Sequence, residues 1–323
     1  MKKRELLSTK MTDEQKTKVR EIFPKFFDEE NAVEKFKISI ESLDEPEFLY
    51  HYTSIDTLEK IFTQSIKKEH FILRGTNIEY LNDYQELNIA TEEMREIAQK
   101  FEKDGKDKVN KKFSKYLDHN KWKTIINLGG LLTVPYITSF SENSDSLPMW
   151  NMYGSNGSGV AIGCKKTDQE TDNERTRWGK CFYEAEIFRN LFDKSFPVIY
   201  DSIDFKSGSL KVGGGMAFNS LSFFFCILKH KSFEFEKEWR LMKQLNIERN
   251  AIKFHPSNGV LKPFIENKFP KSDLKKIVLG PCADQKLSKR SVEMLLQNAG
   301  FSLNKKDENF VEVLISEAPY RII

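Results

Sequence analysis

The sequence has no apolar stretch long enough to cross a bilayer as a helix. Its longest apolar run, Phe218 to Leu228, is interrupted by Asn219, Ser220 and Ser222 and falls well short of the roughly 20 residues a span needs. No membrane association is expected. The opening residues, MKKRELLSTKMTDEQ, lack the apolar core of a signal peptide, and Glu5, Asp13 and Glu14 are foreign to a transit peptide, so a cytoplasmic location is expected. A charge excess of one sign is missing too, since 51 Lys and Arg stand against 48 Asp and Glu. The charge is interspersed, which argues against a wholly disordered chain. Cysteine is scarce: Cys164, Cys181, Cys226 and Cys282 are far apart, with no CxxC and no histidine pair at zinc-ligand spacing. Reduced core thiols and no structural metal are the expectation.

Phenylalanine is abundant, with 26 residues set mostly among aliphatic and β-branched neighbours, which suits a well-packed mixed core. An N-terminal arm, 1–46, reads as helical, from the Thr12 cap through Val19, Ile22, Phe23, Phe26 and Phe27. Strand patterns cover Phe48–Tyr52, His70–Leu73, Val134–Phe140, Val160–Cys164, Lys180–Phe188, Glu238–Leu245, Val260–Ile265, Lys276–Leu279 and Phe310–Ile315. Helical patterns follow Ser54 and cover Met216–Lys229 and Ser288–Asn298, and residues 84–132 read as a lysine-rich helical insertion. No linker composition divides 47–323. The expectation is an α+β fold: one mixed domain with central antiparallel or mixed sheets, a helical arm and a helical insertion.

Four clusters could carry chemistry. Tyr50-His51-Tyr52-Thr53-Ser54 stands where a strand passes into a helix, and its imidazole and hydroxyls suit a ribose or a proton as well as a satisfied structural donor. Arg74, with Asn77, Tyr80, Asn82, Asp83 and Glu86 after it, could pair with a phosphate or simply precede a capped helix. In Tyr136–Glu142, alternation puts Ser139 and Ser141 on one face; Trp150 and Tyr153 beyond them could stack on a planar ring or form a core patch. Gly157 and Gly159 would admit a ligand close to the backbone. In Phe233–Arg240, an extended backbone would point Glu234, Glu236 and Glu238 the same way, which is costly without a compensating cation or ligand.

Together, LYHYTSIDTLEKIF, RGTNIEYLNDYQE, ITSFSENSDSLPMWNMYGSNGSGVAIG, FEKEWRL, KIVLGP and SEAPYR resemble the bacterial domain-of-unknown-function family DUF2971, over about residues 48 to 321. The order of HYTSIDTLEKIF, the paired serines and the E-x-E also looks like that of ADP-ribosyltransferase folds, including DNA-targeting toxins of toxin–antitoxin pairs. That resemblance implies NAD as cofactor. It implies that His51, Tyr52, Thr53, Arg74, Ser139, Ser141, Trp150 and Tyr153 line the nucleotide site, and that His51, Glu236 and Glu238 are catalytic. Glu238 would stabilise an oxocarbenium-like ribosyl centre and Glu236 would align the acceptor.

The function expected on this basis is an NAD-dependent ADP-ribosyltransferase-like effector, of toxin or phage-defence type, with an antitoxin or defence-system partner. It would act on a nucleic acid, protein or nucleotide. Three other classes stay open: a metal-dependent nuclease using Asp83, Glu86, Glu236 and Glu238, a hydrolase of NAD or another nucleotide, and a non-catalytic nucleotide sensor. The lysines of Lys100–Lys123 suit a nucleic-acid contact or a solvated helix face.

Overall fold

The computed structural model describes residues 46–81, 96, 135–166, 175–183, 203–204, 209–210, 226–244, 252–257, 259–281 and 284–319. Almost all of the expected N-terminal arm and insertion, with Lys100–Lys123, Asp83 and Glu86, lies outside them, as does 216–225 of the expected Met216–Lys229 helix.

The fold is α+β, built on one open ten-stranded sheet. The chain enters on β1 (Leu49–Thr53) and turns through α1 (Ile55–Thr63) into β2 (His70–Asn77). It resumes with β3 (Tyr136–Ser141), the short helix α2 (Leu147–Met152), β4 (Val160–Cys164) and β5 (Arg175–Lys180). A separate two-stranded ribbon pairs β6 (Ile203–Asp204) with β7 (Ser209–Leu210). The large sheet then gains β8 (Glu238–Gln244), β9 (Lys253–Ser257), β10 (Val260–Pro270) and β11 (Leu274–Leu279), and α3 (Gln285–Asn298) leads to β12 (Glu312–Ile315).

The main path runs β12-β11-β4-β1-β3-β2-β10-β9, with β8 and β5 branching from β3. All pairs in it are antiparallel except β11 with β12, which α3 connects, because parallel neighbours need a crossover. Ser54 ends β1 and starts α1, its hydroxyl accepting from the Thr57 amide at 3.1 Å. Leu58, Ile61 and Phe62 of α1 join Val292 and Leu296 of α3 over the sheet face formed by Leu49, Phe71, Leu73, Phe140, Ile162, Trp239, Leu241, Phe269 and Ile277. The other face of β1 and β4 is covered by α2 through Tyr50, Tyr52, Trp150 and Ala161.

The strand β3 carries the topology that matters for function. On one side it pairs with β8 along its whole length, from Tyr136↔Lys243 to Ser141↔Glu238. Its other side is shared: β2 takes Tyr136 and Ile137, while β1 takes Ser141. In the gap, side chains replace the ladder. The Thr138 hydroxyl donates to the Arg74 carbonyl at 3.2 Å, and His51 Nδ1 bonds the Ser139 carbonyl at 2.9 Å.

Two stretches depart from the sequence expectation. Phe233–Glu236 is not extended: Lys231–Glu236 forms a 3-10 turn, capped by the His230 side chain, and only Glu238 begins the strand. The glycines near 157 serve the chain itself. A Cβ on Gly159 would fall 2.3 Å from the Thr53 carbonyl oxygen, so glycine lets β4 start tight against the end of β1.

Candidate functional site

The acidic motif assembles around one lysine. Lys237, at φ 41° and ψ 53°, reverses the chain between the 3-10 turn and β8, and Glu236 and Glu238 both meet Lys229. Lys229 Nζ donates to Glu236 Oε2 at 2.5 Å and to Glu238 Oε2 at 2.9 Å. Arg240, two residues further along β8 and therefore on the same face, grips Glu238 twice, Nε to Oε1 at 2.9 Å and Nη2 to Oε2 at 2.8 Å. Its Nη1 donates to the Cys226 carbonyl at 2.5 Å. All four side chains are at most 4% exposed. Two positive and two negative charges thus sit out of water, and only this mutual geometry offsets desolvation costs of several kcal/mol per ion.

The serines meet the acids from β3. Ser139 hydrogen-bonds the Glu238 carboxylate, and the Ser141 hydroxyl donates to the Glu236 carbonyl at 2.6 Å. Tyr153 donates to Glu236 Oε1 at 2.9 Å, while the Tyr183 hydroxyl accepts from the Glu238 amide at 2.9 Å. The Cys181 thiol lies 3.5 Å from Glu238 Oε2.

The two carboxyls are driven in opposite directions. Burial raises Glu236, and Lys229 beside it only partly offsets that. Burial acts the same way on Glu238, but Arg240 and Lys229 outweigh it and hold Glu238 down at about 2. Glu238 is a fixed anion, and Glu236, raised by burial, is the carboxyl that takes up a proton more readily. Burial, and then the neighbouring Glu236, raise Tyr153 and keep its phenol protonated.

Not all of the expected site residues converge here. Tyr50↔Ser141 register and strand alternation put Ser139, Ser141, Glu238 and Arg240 on one sheet face and His51 on the other, where its ring meets Phe140 at 5.7 Å. His51 therefore does not share their face; it touches the set only through the Ser139 carbonyl. A carbonyl can only accept, so His51 Nδ1 carries the proton, and burial lowers the imidazole pKa. Thr53 lies on the His51 face.

Trp150 is a correction. It is fully enclosed, with Nε1 donating to Asp145 Oδ1 at 2.6 Å and its ring edge-on to Tyr52 at 4.7 Å, so no ring face remains for a ligand. Tyr52 is likewise a core residue, its hydroxyl donating to the Asn143 carbonyl at 2.8 Å. Arg74 is exposed, with its guanidinium 4.4 Å from the Phe264 ring centre. Arg74, two residues before Thr76 on β2, faces the same side of the sheet as Ile137 and hence as Ser139.

Sequence reasoning missed Lys229, Cys181 and Tyr183. A signal for Lys229 existed: it follows Cys226-Ile227-Leu228 directly, and a lysine closing a buried run needs an anionic partner. Nothing local marked Cys181 or Tyr183.

Residues 149–241 match the family model described as "Protein of unknown function (DUF2971)". That segment contains Tyr153, Lys229, Glu236, Glu238 and Arg240, so the entire ion cluster lies within the matched region. No curated protein and no solved structure matches the chain.

Proposed function

We propose that the chain transfers ADP-ribose from NAD, with the carboxyl pair on β8 and its preceding turn as the reacting site. The observation that carries the reading is the Glu236–Lys229–Glu238 bridge, in which two carboxyls two residues apart are pushed to opposite protonation behaviour. Such pairs divide acid–base work from fixed-charge work. In the reaction, the C1′–N bond to nicotinamide breaks and its electron pair neutralises the pyridinium ring. The acceptor oxygen or nitrogen bonds to C1′, and its proton passes to Glu236. Glu238 holds Lys229 and Arg240 in place, in contrast to the ribosyl-stabilising role the motif order suggested, while Glu236 keeps its place at the acceptor. His51 is a positioning residue: it fixes Ser139 from behind, and Ser139 fixes Glu238. Arg74 stands where a pyrophosphate could reach it.

The metal-dependent nuclease reading is disfavoured by charge. Lys229 and Arg240 already supply the positive charge that a metal would bring to Glu236 and Glu238. The test is incubation of the full chain with adenine-labelled NAD and cell extract. The reading expects label on a macromolecule or nucleotide, dependent on Glu236. Absence of both labelling and nicotinamide release would overturn it.

A further inference from the structure

The structure assigns Asn143 the role of a positioning residue for Glu236, one that fixes the backbone on which that carboxyl stands. Its part in turnover rests on the transferase reading, whereas its hold on the carboxyl does not.

Three successive residues at the end of β3 hold three successive carbonyls around Glu236. Asn143 Nδ2 donates to the Phe235 carbonyl at 3.1 Å, the Ser141 hydroxyl to the Glu236 carbonyl at 2.6 Å, and the Glu142 amide to the Lys237 carbonyl at 3.1 Å. The Phe235 carbonyl belongs to the peptide plane before Glu236, and the Glu236 carbonyl to the plane after it. Because peptide units are planar, holding both oxygens sets φ and ψ of Glu236. Only its side-chain torsions are left, and Lys229 and Tyr153 take one carboxylate oxygen each.

Asn143 ties this grip together. Its own amide donates to the Ser141 hydroxyl at 3.0 Å, so that oxygen accepts from Asn143 while it donates to Glu236. Its carbonyl accepts from the Tyr52 hydroxyl at 2.8 Å, which anchors it to the core around Trp150. The half-buried Asn143 therefore reaches Glu236 by two routes, one to each flanking peptide plane.

The backbone at Glu236 needs such a hold. The Phe235 and Glu236 carbonyls end a 3-10 turn, where carbonyls find no donor further along the turn, and Lys237 follows at φ 41°, a left-handed conformation uncommon for a lysine. On the outer side of the turn His230, Lys231, Ser232, Glu234 and Lys237 are exposed. Freed from Asn143, the turn relaxes outward and carries Glu236 from burial towards water. A group that receives a proton in the reaction works only while its geometry is held to about half an ångström.

The test follows the Glu236 carboxyl itself, by ¹³C NMR titration of the full chain labelled in glutamate, with the signal assigned from its loss in Glu236→Gln. Burial raises the native midpoint above the ordinary carboxyl value of 4.5. In Asn143→Ala the midpoint should fall back towards that value, a loss of at least roughly threefold in proton affinity. Asn143→Ser, too short to reach the Phe235 carbonyl, should do the same and replaces the alanine variant if that one does not fold. Ser65→Ala is the control: it deletes a buried hydroxyl bonded to the Ile61 carbonyl at 2.6 Å, just past α1, and should leave the midpoint in place. A midpoint unmoved in the Asn143 variants, or moved equally by Ser65→Ala, overturns the inference. Nicotinamide release is read in parallel and should lose at least roughly tenfold in kcat with KM little changed in the Asn143 variants. A shifted midpoint with no release by the native chain fails the transferase reading alone, whereas native release with an unmoved midpoint fails this inference alone.

Discussion

Glu236 and Glu238 stand two residues apart, yet they should respond oppositely to the same substitution. Glu238→Gln leaves Arg240 and much of the Lys229 charge buried without an anion, so a loss of about 3–5 kcal/mol is expected, read as a lowered urea midpoint. Glu236→Gln removes a carboxylate whose charge is already disfavoured by burial, and Lys229 keeps Glu238, so stability should change by less than about 1 kcal/mol. The pH dependence follows from the same shifts. Because Glu238 is depressed, its stabilisation is complete above the ordinary carboxyl value of 4.5 and is lost as pH falls towards about 2. His51 is lowered, so the unfolded chain binds its proton more readily. Stability is then full above about pH 6.5 and declines below it. Replacing His51 by Phe should remove part of the slope between pH 7 and 5, leaving the contribution of His70, which has the same sign. An unchanged slope would contradict the placement of His51. Of this site, the serines and the acids were legible in the sequence because they form a compact motif. Their cation Lys229 carried a sequence signal as a lysine closing a buried run, but its pairing with these two acids did not, because the contact is made by a turn that only tertiary packing defines.

At the scale of elements, the strands that the sequence reveals are those with β-branched and aliphatic alternation, such as β4, found at the expected Val160–Cys164. The helix α2 was hidden by its length and by Pro148, which is tolerated because it stands in the first helical turn. The strand β9 was hidden by Pro256, acceptable at the edge of the sheet. What holds α2 is Asp145, which accepts from Trp150 Nε1 and Ser316 Oγ, each at 2.6 Å, and from the Glu317 amide at 2.8 Å. The residue therefore ties the segment after β12 to the start of α2. Asp145→Ala leaves three donors without their acceptor and should cost about 2–3 kcal/mol. It should also speed amide exchange at Glu317 ahead of global unfolding. Exchange at Glu317 as slow as in the native chain would mean that the staple is redundant.

For the whole molecule, the α+β class was legible from the mixture of periodicities, but the sheet order was not. Only tertiary structure joins β1, β3 and β8, drawn from near residues 50, 140 and 240, and only it divides one side of β3 between two partners. That division lets His51 and the β8 acids approach Ser139 from opposite faces, an arrangement that motif order alone had merged into one cleft. The most direct measurement of the central claim is nicotinamide release from NAD by the full chain and by Glu236→Gln at matched melting temperature. The native chain should release nicotinamide and the variant should release it at least roughly a hundredfold more slowly, with NAD affinity little changed. Undiminished release by Glu236→Gln, or none from the folded native chain, would contradict it.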